Sequence, residues 1–69
     1  MNDTYRKYVV YDEYGNEAHT VIAHAFGVKD GGTLVFTKTR ANGGFEVVTA
    51  FAAGYWSRVE FVETVEAVG

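Results

Sequence analysis

Apolar positions along this chain fall into short runs rich in Val, Thr, Phe and Tyr. Glycine-rich clusters interrupt them about every ten residues. The clusters are Tyr14-Gly15-Asn16-Glu17, Lys29-Asp30-Gly31-Gly32, Arg40-Ala41-Asn42-Gly43-Gly44 and Ala52-Ala53-Gly54. Short β-prone runs at this spacing predict an all-β fold, a small barrel or sandwich of about five antiparallel strands. The first strand is read over Tyr5–Tyr14, and Gly15-Asn16 supplies the positive φ angles of a tight hairpin. Ala18–Val28 then returns antiparallel. Thr33–Arg40, Phe45–Ala52 and Trp56 to about Val65 follow as strands three to five. Helix has little support, because the segments are short and β-branched. Val59, Val62, Val65 and Val68 form a three-residue repeat that also reads as a helical stripe. The Val and Phe content favours strand through about Val62, with the last few residues fraying.

Alternation assigns the faces. Leu34 and Phe36 share one side of the third strand, and Val35 and Thr37 the other. In the fourth, Phe45, Val47, Thr49 and Phe51 share one side. Val48, Ala50 and Ala52 share the other, with Glu46 the one charge among them. A single sheet with one solvated face alternates cleanly between apolar and polar. Here both faces are apolar in mid-chain, as expected of a closed or two-layer barrel, or of a face that meets another subunit.

The chain has 69 residues, which is one small domain spanning 1–69. A domain of this size is marginal alone unless disulfides, a metal or oligomerisation support it. Cys is absent and there are two His, so disulfides and thiolate metal sites are excluded and a structural zinc is not expected. Hydrophobic residues make up 48% and aromatics 16%, enough to build a core. The net charge of −3 argues against phosphate-driven nucleic-acid binding. No apolar run reaches the length of a membrane helix, and no signal peptide is read behind the polar Met1-Asn2-Asp3-Thr4. The expected location is the cytoplasm.

Candidate chemistry is sparse. Ser57 is the sole serine, and His19 and His24, five apart, point to opposite faces of a strand. No catalytic residue, cofactor or metal site is read from this set, and the expectation is a protein that is not an enzyme. His24, in the run Val21-Ile22-Ala23-His24-Ala25-Phe26, reads as a half-buried, hydrogen-bonded histidine. The candidate binding residues are aromatic. Tyr5, Tyr8, Tyr11 and Tyr14 are spaced by three, so Tyr5 and Tyr11 face one way and Tyr8 and Tyr14 the other. One pair lines a core, and the other either stiffens an exposed hairpin by cross-strand packing or serves recognition. Arg6 and Lys7 lie among them, a miniature of a single-strand nucleic-acid platform. Trp56 follows Gly54 and reads as a plug at one end of the fold, with Arg58 at the rim as a partner anchor.

Asp30-Gly31-Gly32-Thr33-Leu34-Val35-Phe36, then Glu46-Val47-Val48-Thr49-Ala50-Phe51-Ala52-Ala53-Gly54-Tyr55-Trp56-Ser57-Arg58-Val59, resembles small β-rich accessory proteins encoded by actinobacterial phages. Their pattern is a Gly-turn, Leu-Val-Phe, Glu-Val-Val with an aromatic strand, then Gly-x-Trp and a closing Val. It covers roughly the last two thirds of the chain. Members often carry Pro before the second Gly, where this chain has Ala53. The resemblance implies a host-cytoplasm context and a mostly unassigned activity, with no catalytic residues to carry over. Together these readings lead to a non-enzymatic protein-binding module. It is expected to self-associate as a homo-oligomer and to contact a host or phage protein. The alternative is a small-ligand or single-stranded nucleic-acid binding barrel.

Overall fold

Residues 4–66 are described by the computed structural model. Among these residues six antiparallel strands form, with no helix: β1 Thr4–Tyr11, β2 Glu17–Ala23, β3 Ala25–Val28, β4 Leu34–Thr39, β5 Phe45–Phe51 and β6 Arg58–Glu66. They make two three-stranded sheets, ordered β2-β1-β6 and β3-β4-β5. The thinnest extent of the molecule is 12 Å, close to the ~10 Å spacing of two stacked sheets. The architecture is a small sandwich.

The glycine clusters make the turns, and three of them use one device. In β1–β2 the Gly15 N–H donates to the Asp12 carbonyl and the Asp12 N–H to the Asn16 carbonyl. Lys29/Gly32/Thr33 and Arg40/Gly43/Gly44 repeat this arrangement. Gly15, Gly32 and Gly43 all have φ between 85° and 94°. At Gly15 and Gly43 this is a type I turn closed by one left-handed glycine, whereas in Lys29–Gly32 the third residue, Gly31, is left-handed as well and makes the turn type II. Asn16 does not share the positive φ expected of it, because one left-handed residue closes this turn. Asp12 Oδ1 fixes the first turn by accepting the N–H groups of Tyr14 and Asn16, each at 2.9 Å.

The predicted second strand is two strands. Its first part pairs with β1 and its second with β4, and the ladder changes partner at His24. The His24 N–H donates to the Thr37 carbonyl at 2.9 Å, and the Thr39 N–H donates to His24 Nδ1 at 2.7 Å. A strand that bends from one sheet into the other makes a corner of the sandwich. The histidine supplies the acceptor that a regular ladder would have offered Thr39.

Three register shifts reset the predicted faces. Ala18, Val48 and Val62 are each the extra residue of a bulge. Val48 overturns the expected face of β5. Val47 pairs with Thr37 and Phe45 with Thr39, which point outward, while Thr49 and Phe51 pair with Phe36 and Leu34, which point inward. Val62 breaks the period of β6, so the three-residue valine repeat is a bulged strand and not a helix stripe. That strand runs on through Glu66 rather than ending near Val62. The expected fraying at Val68 lies outside the described residues.

The core lies between the sheets and consists of Tyr8, Val10, Val21, Ala23, Leu34 and Phe36. Phe51, Trp56 and Val59 pack against it. Each sheet contributes alternate residues of its strands, as the pleat requires.

Candidate functional site

The register brings Tyr11 and Arg58 side by side on the outer face of the β2-β1-β6 sheet. The Arg58 guanidinium lies 4.1 Å from the centre of the Tyr11 ring. The Tyr11 hydroxyl donates to Glu60 Oε1 at 2.8 Å, and Arg58 reaches Glu60 Oε2 at 3.4 Å. The hydrogen bond with Tyr11 and then the charge of Glu60 raise the Arg58 pKa above its ordinary value. Lys7 and Glu63 pair on the same face at 3.6 Å. This face is charged, internally compensated and exposed.

The other expected binding residues are dispersed. Tyr8 is 3% exposed and belongs to the core. Its ring meets Phe26, Phe36 and Phe61 at 5.2, 5.5 and 6.1 Å. Tyr14 does not share its strand, because β1 ends at Tyr11 and Tyr14 stands exposed in the turn. Tyr5 stacks on His24, with ring centres 4.4 Å apart and planes 8° apart. Trp56 is half-buried, and its Nε1–H donates to the Gly32 carbonyl at 3.0 Å. It ties the β3–β4 turn to the β5–β6 connection. The same connection holds the first hairpin, where Ser57 Oγ–H donates to the Asp12 carbonyl at 2.6 Å. Trp56 thus sits at one end of the sandwich.

His19 and His24 are apart, as their spacing requires. His19 leans on Phe51, with ring centres 4.9 Å apart, whereas His24 serves the corner. Ser57 has no histidine partner, since its hydroxyl is committed to Asp12. Among the described residues no three His, Cys, Asp or Glu gather as a metal-binding group, and no helix is long and apolar enough to cross a membrane.

Two surfaces were not legible in the sequence. The first is the outer face of the β3-β4-β5 sheet. Val35, Thr37, Thr39, Phe45, Val47 and Ala50 point outward there, with Ala25 and Gly27 of β3 beside them. None is charged. Phe45 is 72% and Val47 60% exposed. Lys38 and Glu46, the charges within β4 and β5, lie opposite one another on the other side at 3.5 Å. The second is a cleft of about 350 Å³ between the sheets, lined by Arg6, Tyr8, Phe26, Phe61 and Thr64. A wider opening of about 460 Å³ lies at the opposite hairpin end, rimmed by Asp12, Glu13, Tyr14, His19, Phe51 and Tyr55 among others. Asp12 already caps its own turn there.

Comparison with family models, with curated proteins and with solved structures found no match to this chain. The reading of its function therefore rests on these surfaces.

Proposed function

We propose that this protein is a non-enzymatic binding module that works as a homo-oligomer, most simply a symmetric dimer joined through the outer face of the β3-β4-β5 sheet. The observation that carries this reading is the absence of charge on that face, together with the exposure of Phe45 and Val47. In a two-fold interface each patch meets its own copy. A charged patch would there oppose like charges, and this chain carries a net charge of −3. The uncharged face meets its twin without that cost and offers no group for ionic recognition of a different partner. β5 is also an edge strand, and its apolar outer side needs cover to avoid open-ended pairing. A standard interface takes about 800 Å² from each partner, roughly a sixth of the 4855 Å² surface. The non-enzymatic part is supported by the engagement of Ser57 Oγ and His24 Nδ1 in structural hydrogen bonds.

Light scattering at about 100 μM tests the assembly, in the range where micromolar affinity saturates. The expected mass is twice the 7.6 kDa of one chain. Val47→Glu places two carboxylates against each other across the two-fold axis and returns the single-chain mass with an unchanged circular dichroism spectrum. A wild-type protein that stays at one chain mass overturns the reading.

A further inference from the structure

We propose that the cleft between β1, β3 and β6 binds small monocarboxylates that carry an aromatic or branched apolar body. The site lies on the inner side of the β2-β1-β6 sheet, away from the outer face of β3-β4-β5. It does not depend on the oligomer reading.

The register builds the cleft. Arg6 and Tyr8 are two apart on β1 and share the inner face. Phe61 stands opposite Tyr8 on β6, and Thr64 opposite Arg6. The bulge at Val62 brings both onto this face although they are three apart in sequence. Phe26 closes the cleft from the other sheet, with its ring edge-on to Tyr8 at 5.2 Å. Tyr8 is buried, while Phe26 remains 45% and Phe61 56% exposed. The result is an aromatic slot with a closed floor and open walls. Its volume of about 350 Å³ falls at the small end of ligand sites.

The charge at its rim selects the ligand. Arg6 faces Ala23 on one neighbouring strand and Thr64 on the other, neither of them acidic. The ion pairs of the described residues engage Lys7, Lys38, Arg40 and Arg58, and Arg6 has none. Glu66, opposite Thr4 on the same face, makes no ion pair with it. Nor does Arg6 stack on an aromatic ring, as Arg58 does on Tyr11. A guanidinium with no ion-pair partner among the described residues, beside apolar walls, fits a planar carboxylate bidentately. The two exposed rings alone would suit a cation, and the positive charge of Arg6 opposes that choice. Thr64 adds a hydroxyl that can donate to the second carboxylate oxygen.

The test is a titration of the ¹⁵N-labelled full chain with 3-phenylpropionate, 3-phenylpropionamide and 3-phenylpropylamine. The acid should give saturable shifts at the amides of Arg6, Phe26, Phe61 and Thr64, with a Kd on the order of 1 mM for so small a ligand. The neutral amide should bind at least about tenfold more weakly, as should the amine, since each lacks the charge-assisted pair. Arg6→Gln keeps the stem on an exposed position and should also weaken the acid about tenfold, with shifts far from the cleft unchanged. Arg6→Lys should retain part of the affinity, and Phe61→Ala should weaken acid and amide alike. The proposal is overturned if the acid gives no saturable shift at these amides up to about 20 mM, far above the expected Kd. It is equally overturned if the amide binds as well as the acid, or if Arg6→Gln binds as well as wild type.

Discussion

Removing the Trp56 side chain tests the end closure of the sandwich most directly. A buried aromatic covers about 150–250 Å², and the half-buried indole of Trp56 removes on the order of 100 Å² from water. At about 25 cal/mol per Å² that contributes about 2.5 kcal/mol. The Nε1–H bond to the Gly32 carbonyl adds about 1 kcal/mol. Trp56→Ala should therefore cost about 3–4 kcal/mol, within the range measured for deletions of large aromatics. Small domains have about 0.05–0.15 kcal/mol of stability per residue, so a chain of 69 residues has about 3.5–10 kcal/mol in all. At the lower end of that range the variant sits at the edge of folding. Trp56→Phe retains most of the ring and loses the hydrogen bond, and should cost about 1–2 kcal/mol. Guanidinium denaturation followed by far-ultraviolet circular dichroism measures both, at an unchanged m-value. A Trp56→Ala protein within about 1 kcal/mol of wild type, with its mass fallen to one chain, would refute the closure. Trp56 would then be a contact of the oligomer.

Other perturbations probe the turns, the corner and the charged face. Gly32→Ala should cost more than Gly31→Ala, because both have positive φ but a Cβ at Gly32 would stand 3.0 Å from Ala53 Cβ. Thermal melts should show a loss of about 2–3 kcal/mol against about 1–2 kcal/mol, with Ala53→Gly recovering part of the former. His24→Ala should cost about 1–2 kcal/mol by stranding the Thr39 N–H and unstacking Tyr5, while His24→Asn, whose Oδ1 can replace Nδ1, should recover about half in denaturant titrations. Arg58→Ala should leave the denaturation midpoint nearly unchanged, because its ion pair is solvent-exposed, and adding about 0.5 M salt to wild type should do the same.

The turns were legible because their cause is local. A left-handed residue is needed where the chain reverses, and glycine supplies it without steric cost. Gly15, Gly31, Gly32, Gly43 and Gly54 all have positive φ at the predicted breaks. Leu34 and Phe36 were legible as core for a similar reason: two large apolar residues two apart in a β-branched run share a face. The corner at His24 was not legible. No turn cluster stands within Val21–Val28, where Ala23, Ala25 and Gly27 weaken β propensity without marking a break, and the change of partner comes from what β1 and β4 offer across the ladder. The tyrosine series shows the same divide. Its alternation put Tyr5 and Tyr11 opposite Tyr8, as found, but Tyr14 lies beyond the point where Asp12 caps the hairpin.

The bulges set which surfaces the molecule presents. Strict alternation through β5 sends Phe45 and Val47 to the same side as Phe51, and so into the core. The extra residue at Val48 turns them outward and leaves Glu46 on the inner side, paired with Lys38 and Arg40. An uncharged outer face results, with two large apolar side chains on an edge strand. In β6, the extra residue at Val62 keeps Phe61 and Thr64 together beside Arg6 and carries Glu63 outward to Lys7. Each proposed surface thus lies on a strand whose phase one inserted residue changes. Bulges are defined by pairing with a partner strand, so residues on one strand alone do not reveal them. Deleting Val48 should make the ladder regular with its pairs unchanged, Val47 on Thr37 and Thr49 on Phe36, so that Phe45 and Val47 stay outward and Glu46 inward. The uncharged outer face would then survive the loss of the bulge, and assembly with it. A Val48-deleted chain that stays folded but no longer assembles would place the contact elsewhere on the molecule.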